Sequence, residues 1–121
     1  MEIKSIQIRE QSFSVEIAVS EYETTIGLSK RKVLNKNSGM LFVLSQPQRI
    51  PIWMKDMHLA IDIIWINEDW QIVHIEPNVL PETISPYNEK YPDVLARYVL
   101  EISAGVCDQY AIALGDTIYL R

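Results

Sequence analysis

The sequence is poor in the residues that most often bind metals or form disulfide bonds. It has one cysteine, Cys107, which excludes an internal disulfide and a zinc site built from several thiolates. Its two histidines, His58 and His74, lie in different predicted elements and are too few for a histidine-based metal site. We therefore expect no bound metal and no other cofactor.

An excess of positive charge and a long apolar run are also absent. The 11 lysine and arginine residues are outnumbered by 16 aspartate and glutamate residues, so the net charge is −5. Nucleic-acid binders usually carry the opposite charge, and no stretch is long and apolar enough to span a bilayer. The amino end lacks the hydrophobic core of a signal peptide. We expect no nucleic-acid partner, no membrane span and a cytoplasmic location; a form that carried an export signal or a lipid anchor would instead be exported.

Standard catalytic motifs are missing as well. The sequence contains no G-x-S-x-G, P-loop, G-x-G-x-x-G or H-E-x-x-H pattern. Cys107 could serve as a nucleophile with His58 or His74 as its base. However, it stands beside Val106, and no cation in the neighbouring sequence lowers the pKa of its thiol. We predict that Cys107 is buried and unreactive.

The residues that are present describe one globular domain over residues 1–121. Apolar residues make up 48% and charged residues 22% of the 121 positions, which are ordinary values for a single domain.

An S-x-x-E capping box at Ser20 and Glu23 predicts a helix over 21–29, and a second short helix is expected over 104–110. Four prolines predict an irregular loop over 76–93. Alternating apolar and polar residues predict about seven strands, over 3–8, 13–18, 40–44, 61–67, 70–75, 97–103 and 118–120. This pattern favours a mainly β fold, either a β-sandwich or a distorted barrel with one or two short helices.

The segment 53–62 places charged residues among large apolar ones. Asp62 shares a strand face with isoleucines, and Glu101 occupies another apolar strand. A charge on an apolar face is normally paired or lies at the mouth of a pocket. We therefore predict that Trp53, Lys55, Asp62 and Glu101 converge in one cluster. That cluster would be either an ion-pair group that fixes the fold or an anchor for a cationic or hydroxyl-rich ligand.

Glycines mark the predicted turns. Gly39 precedes an apolar strand, Gly105 interrupts the second predicted helix, and Gly115 with Asp116 forms a turn before the last strand. We predict that Gly39 or Gly115 has a positive φ, a conformation in which a side chain is strained.

Several motifs, in order, resemble the domain-of-unknown-function 192 (DUF192) family. They lie at residues 27–28, 39–43, 53–55, 61–66, 98–101, 105 and 115–116. The resemblance covers about 13–120 and implies a compact, mostly β, sandwich-like domain with no established activity. The family usually has Asn-Thr or Gly-Met after Trp-Met-Lys and a proline before the Leu/Ile-Asp pair. This sequence has Asp56-Met57 and Ala60 at those places. Many relatives carry an export signal or a lipid anchor.

Three functions are compatible with these residues. The first is a non-catalytic module that binds a small ligand or a protein partner, which requires a pocket. The second is a hydrolase or lyase acting on a small polar or sugar-like substrate, which requires Asp62 and Glu101 as paired carboxylates with Lys55 as their electrostatic partner. The third is a structural accessory protein, which requires an exposed apolar patch. With no catalytic motif in the sequence, we favour the binding module over the enzyme.

Overall fold

The computed structural model describes residues 2–19, 28, 31–50, 52, 57–81 and 92–121. Apart from Leu28, the helix predicted over 21–29 lies outside the described residues. In this part of the chain, no helix has the length and hydropathy that a membrane span requires. The described elements are β1 (Glu2–Ile8), β2 (Gln11–Ala18), β3 (Ser38–Gln48), β4 (Ile61–Ile66), β5 (Ile72–Val79), β6 (Ala96–Ser103), α1 (Val106–Gln109) and β7 (Ile118–Leu120).

The seven strands form one sheet in the order β5-β4-β6-β3-β2-β1-β7. β2 and β3 run parallel, and all other neighbouring strands are antiparallel. The sheet curls until its two ends meet at a bridge between Gln71 and Thr117. Next to that bridge, the amide of Ile118 donates a hydrogen bond of 2.8 Å to the carbonyl of Trp70. The predicted mainly β fold is confirmed, and the curled sheet corresponds to the distorted barrel rather than to two packed sheets.

Each face of the curled sheet carries its own apolar cluster. The inner cluster includes Ile6, Phe13 and Leu100, and α1 packs against it through Val106 and Cys107. The outer cluster includes Met40, Ile63, Trp65 and Val99, covered by residues such as Leu28 and Met57. All six residues of β4 are buried because this strand has apolar cover on both faces. Its near-continuous apolar sequence is the pattern expected for a strand covered on both sides.

The structure corrects two boundaries. β3 runs over Ser38–Gln48 rather than the predicted 40–44. β5 continues to Val79 where the sequence predicts an irregular loop from residue 76. Pro77 lies within the strand without disrupting a ladder, since β5 is the last strand in the order and Pro77 can occupy its edge. The strand also carries an extra residue opposite β4, where Ile61 pairs with Val79 and Ile63 pairs with Glu76. A bulge of this kind accommodates proline and breaks the alternation that strand prediction depends on.

The predicted turn residues occupy three kinds of position. Gly115 has a φ of +88° and Gly105 a φ of +90°, so the prediction of a positive φ is confirmed at Gly115. Gly39 is needed for a different reason, because a Cβ there would lie 2.6 Å from the carbonyl oxygen of Glu101 on β6. Asp116 closes its turn by accepting a 2.9 Å hydrogen bond from the amide of Ala113.

Candidate functional site

Asp62 lies on β4 with its side chain fully buried, and its carboxylate accepts hydrogen bonds from three backbone amides. Oδ1 accepts hydrogen bonds from the amides of Asn78 at 2.8 Å and Gly105 at 3.1 Å, and Oδ2 accepts one from Cys107 at 2.9 Å. These amides belong to the bulge of β5 and to the start of α1. Asn78 has a φ of +52°, so the carboxylate stabilises a rare backbone conformation. Asp62 therefore ties three segments of the fold together.

Glu101 lies on β6, and its side chain is 5% exposed. It stands on the outer face between Met40 of β3 and Ile63 of β4, which are its partners in register. No hydrogen bond or ion pair joins it to another residue in the described part of the chain. Burial raises the pKa of this carboxyl from its ordinary value of 4.5 to about 7. Glu101 is thus a carboxyl in an apolar layer with a strongly disfavoured charged form.

The structure does not bring Asp62 and Glu101 together. In the register of β4 against β6, Glu101 pairs with Ile63 and Asp62 pairs with Ile102. Because successive side chains in a strand point to opposite faces, the two carboxylates lie on opposite sides of the sheet. The predicted cluster therefore lacks its carboxylate pair, and its other two members, Trp53 and Lys55, lie outside the described residues.

Cys107 is buried, with 4% of its side chain exposed, as the sequence predicts. Burial raises the pKa of the thiol, and the nearby charge of Asp62 raises it further. A thiol in this setting stays protonated, so a thiolate nucleophile is disfavoured. Among the possible bases, His58 is exposed and His74 binds elsewhere, with its Nε2 atom 2.9 Å from Oε2 of Glu76.

An open cavity lies at the end of the barrel away from α1. Asp62 and α1 lie near Ile102 at one end of β6, whereas this cavity opens near Tyr98 at the other end. We call it the mouth. Its volume is about 230 Å³, and it is lined by Glu2, Lys4, Ile17, Leu41, Val43, Trp70, Tyr98 and Leu120. The mouths of β-barrels are common binding sites for small molecules.

The inward-facing positions of β1 show why the mouth is open. They read Glu2, Lys4, Ile6 and Ile8, so the lining changes from apolar in the core to charged at the rim. Ile6 and Ile8 are fully buried, whereas the side chains of Glu2 and Lys4 are 64% and 48% exposed. The Nζ atom of Lys4 lies 3.7 Å from a carboxylate oxygen of Glu2. The sequence pattern of β1 therefore places an ion pair at the rim of an apolar cavity.

Trp70 covers one wall of the mouth from a strained backbone conformation. Its φ is +64°, in the left-handed region that bulky residues rarely adopt and that costs about 1–3 kcal/mol. The turn is held by Asn67, whose Oδ1 accepts 2.9 Å hydrogen bonds from the amides of Asp69 and Gln71. The indole stacks on Tyr98, with ring centroids 3.8 Å apart and planes 17° apart. Trp70 and Tyr98 both line the cavity, so the stacked pair forms one of its walls.

Sequence reasoning missed Trp70 because tryptophans are usually core residues. One signal was available: the hairpin turn 67–70 has tryptophan at a position where a glycine or asparagine would relieve the backbone. The mouth itself could not be predicted, since its lining comes from six strands or turns that are distant in sequence.

Two clefts lined by described residues are larger than the mouth. One, of about 390 Å³, is lined by Arg31 and Glu16 among others; the second, of about 560 Å³, is lined by Arg9 and Tyr110 among others. In each, the arginine is already engaged, with Glu16 in the first and with Asp116 in the second. Neither cleft combines an apolar wall with a strained aromatic residue, so the mouth is the better candidate.

The fold and the mouth define a small, partly closed mixed β-barrel with an apolar cavity at one end. The family model for DUF192, described as an uncharacterized ACR family, matches residues 4–120, and the chain belongs to this family. The resemblance found in the sequence is thereby confirmed over nearly the whole chain. No curated protein matches the sequence.

Two crystal structures are similar to this chain along almost its full length. One is a protein from Sinorhizobium meliloti 1021 described as a "putative transcription regulator", with 25% identity and a TM-score of 0.92 over 98% of this chain and 94% of that one. The other is a protein of unknown function from Novosphingobium aromaticivorans DSM 12444, with 25% identity and a TM-score of 0.88 over 96% of this chain and 84% of that one.

Proposed function

We propose that this protein is a non-catalytic binding module that takes a small ligand in the mouth of its barrel. The observation that carries the proposal is the conformation of Trp70. A bulky residue at a φ of +64° is retained at a cost in backbone energy, and such outliers concentrate where a side chain must be aimed at a ligand. Here the side chain is aimed at an apolar cavity open to solvent.

The alternative of a hydrolase or lyase has less support. It requires Asp62 and Glu101 as a carboxylate pair in one solvent-reached pocket, but the two residues lie on opposite faces of the sheet. Asp62 is also committed to three backbone amides. A purely structural accessory role is less favoured because it requires no pocket, whereas an apolar cavity lies at the mouth.

The relative described as a "putative transcription regulator" suggests a setting for such a module. In that setting, this chain would sense a ligand rather than contact DNA, because its net charge of −5 opposes binding to phosphates. The proposal therefore includes a small-molecule partner and no nucleic-acid partner.

The test is a thermal-shift screen of a small-molecule library on three proteins: the wild type, Trp70→Gly and Tyr119→Ala. Glycine at position 70 relieves the backbone strain, which offsets part of the lost stacking, so we expect this variant to fold. Tyr119 is an exposed aromatic residue on β7 that does not line the mouth, which makes Tyr119→Ala the matched control.

A ligand of the mouth should raise the melting temperature of the wild type and of Tyr119→Ala, but not that of Trp70→Gly. The proposal is wrong if stabilising compounds act equally on all three proteins. It is also wrong if no compound in a chemically diverse library stabilises the wild type.

A further inference from the structure

Resting on the proposed function, we infer that the ligand of the mouth is a small planar carboxylate, whose ring packs against Trp70 and whose carboxylate binds Lys4. The inference depends on the shape and charge of this cavity.

The walls of the mouth favour a flat apolar ring. Trp70 is half-buried, Tyr98 is buried beneath it, and both line the cavity, so the stacked pair supplies its aromatic wall. The facing wall is aliphatic and includes Ile17, Leu41 and Val43. A ring between an aromatic plane and branched side chains can stack on one side and make van der Waals contacts on the other.

The size of the mouth limits the ligand to a small molecule. A volume of about 230 Å³ lies below the usual range of roughly 300–1,000 Å³ for pockets that take drug-sized ligands. A single ring with one short polar substituent suits this space. A peptide strand or a lipid chain would extend well beyond it.

The charges at the rim favour a negative substituent. Lys4 lies one inward-facing position deeper than Glu2, so the charge next to the apolar wall is positive. The pair that these two residues form is long, at 3.7 Å, and exposed, so it contributes little and a ligand carboxylate can replace Glu2.

In the described part of the chain, no buried carboxyl group lies at the mouth, where it would repel a ligand carboxylate. The two buried carboxyl groups of this part of the chain are Asp62, at the opposite end of the barrel beside α1, and Glu101, on the outer face of the sheet. Among the residues that line the mouth, the acidic one is Glu2 at the rim. Its side chain is exposed and can turn toward solvent.

The experiment compares three probes that share a phenyl ring and carry a negative, a neutral or a positive substituent: benzoate, benzyl alcohol and benzylamine. Each is titrated at neutral pH and low salt while the side-chain N–H resonance of Trp70 is followed by NMR, with Trp70→Gly identifying that resonance. The proteins are the wild type, Lys4→Gln and Lys36→Gln. Lys36 is an exposed lysine that does not line the mouth, so its variant controls for the loss of one positive charge.

We expect all three probes to shift the Trp70 resonance, and benzoate to bind about two- to fivefold more tightly than benzyl alcohol, as expected for one exposed charge pair. Lys4→Gln should abolish this advantage, and Lys36→Gln should keep it. The inference is overturned, with the proposed function intact, if benzylamine binds most tightly or if Lys4→Gln leaves benzoate binding unchanged. It is likewise overturned alone if these probes fail while library compounds bind in a Trp70-dependent manner. If no compound of either set depends on Trp70, both fail.

Discussion

Asp62 shows how a charged residue in an apolar strand can stabilise the fold. The sequence indicates an unusual carboxylate at this position, and an unpaired buried charge would be strongly destabilising. The structure resolves the conflict with three backbone amides in place of a cationic side chain. Such backbone partners leave no pattern of complementary charge in the sequence. The residue could therefore be singled out in advance, but its role could not.

Replacing Asp62 tests this role. In Asp62→Ala, the amides of Asn78, Gly105 and Cys107 lose their acceptor, and we expect the free energy of unfolding to fall by about 3 kcal/mol or more. Asp62→Asn keeps one acceptor oxygen, so its free energy of unfolding should lie between those of Asp62→Ala and the wild type. Urea unfolding monitored by tryptophan fluorescence measures the difference. Asp69→Ala, at an exposed position in the hairpin turn, should change stability by less than about 0.5 kcal/mol. A similar small change for Asp62→Ala would contradict the assignment.

At the scale of elements, the end of α1 departs from ordinary backbone geometry. Ala111 follows the helix with a φ of +56°, the left-handed conformation that often ends a helix and normally falls to glycine. The chain then turns back, with the amide of Ile112 donating a 2.9 Å hydrogen bond to the carbonyl of Cys107. The turn at the end of α1 requires the left-handed conformation of Ala111, although this conformation is strained for alanine.

Ala111→Gly should therefore stabilise the protein, by up to about 1 kcal/mol, because the removed strain exceeds the extra freedom that glycine has in the unfolded chain. Ala113→Gly is the matched control, since Ala113 is exposed and has no positive φ. We expect that control to lower stability slightly. The midpoints of chemical unfolding give both values, and equal shifts of the two variants would exclude the argument from strain.

Strand prediction worked wherever apolar and polar residues alternate without interruption. β2 is a clear case, with Phe13 and Val15 buried on the inner face. It failed in the second half of β5, where Pro77 and a bulge hide the alternation. Strand register was beyond the sequence for a related reason. The separation of Asp62 from Glu101 depends on the register of β4 against β6, and a shift of that register by one residue would place the two carboxylates on the same face.

For the whole molecule, Glu101 links stability to pH. The pKa of this carboxyl is about 7 in the folded protein, above its ordinary value of 4.5. Between these two values the folded chain holds a proton that the unfolded chain releases. Stability is therefore greatest below the lower pKa and is lost as pH rises through the higher one. Over this interval the loss is on the order of 3 kcal/mol.

Glu101→Gln should remove this dependence, because glutamine stays neutral at every pH. As the pH is raised from 5 to 8, we expect the unfolding midpoint of the wild type to decrease relative to that of Glu101→Gln. Glu10→Gln, at an exposed hairpin position, should retain the wild-type slope. Parallel curves for the wild type and Glu101→Gln would show that Glu101 does not titrate in this range.

The pairing of β1 with β7 governs when this protein can finish folding. Arg9 and Asp116, which join across this seam at 3.1 Å, are separated by 107 positions in the sequence. During synthesis, β1 is made long before β7. Of the two strands that pair with β1, β2 is therefore available early and β7 is available last. Closure therefore waits for the last strand to be made. A nascent chain carries an open sheet until then, and contacts so distant in sequence make folding slow for a domain of this length.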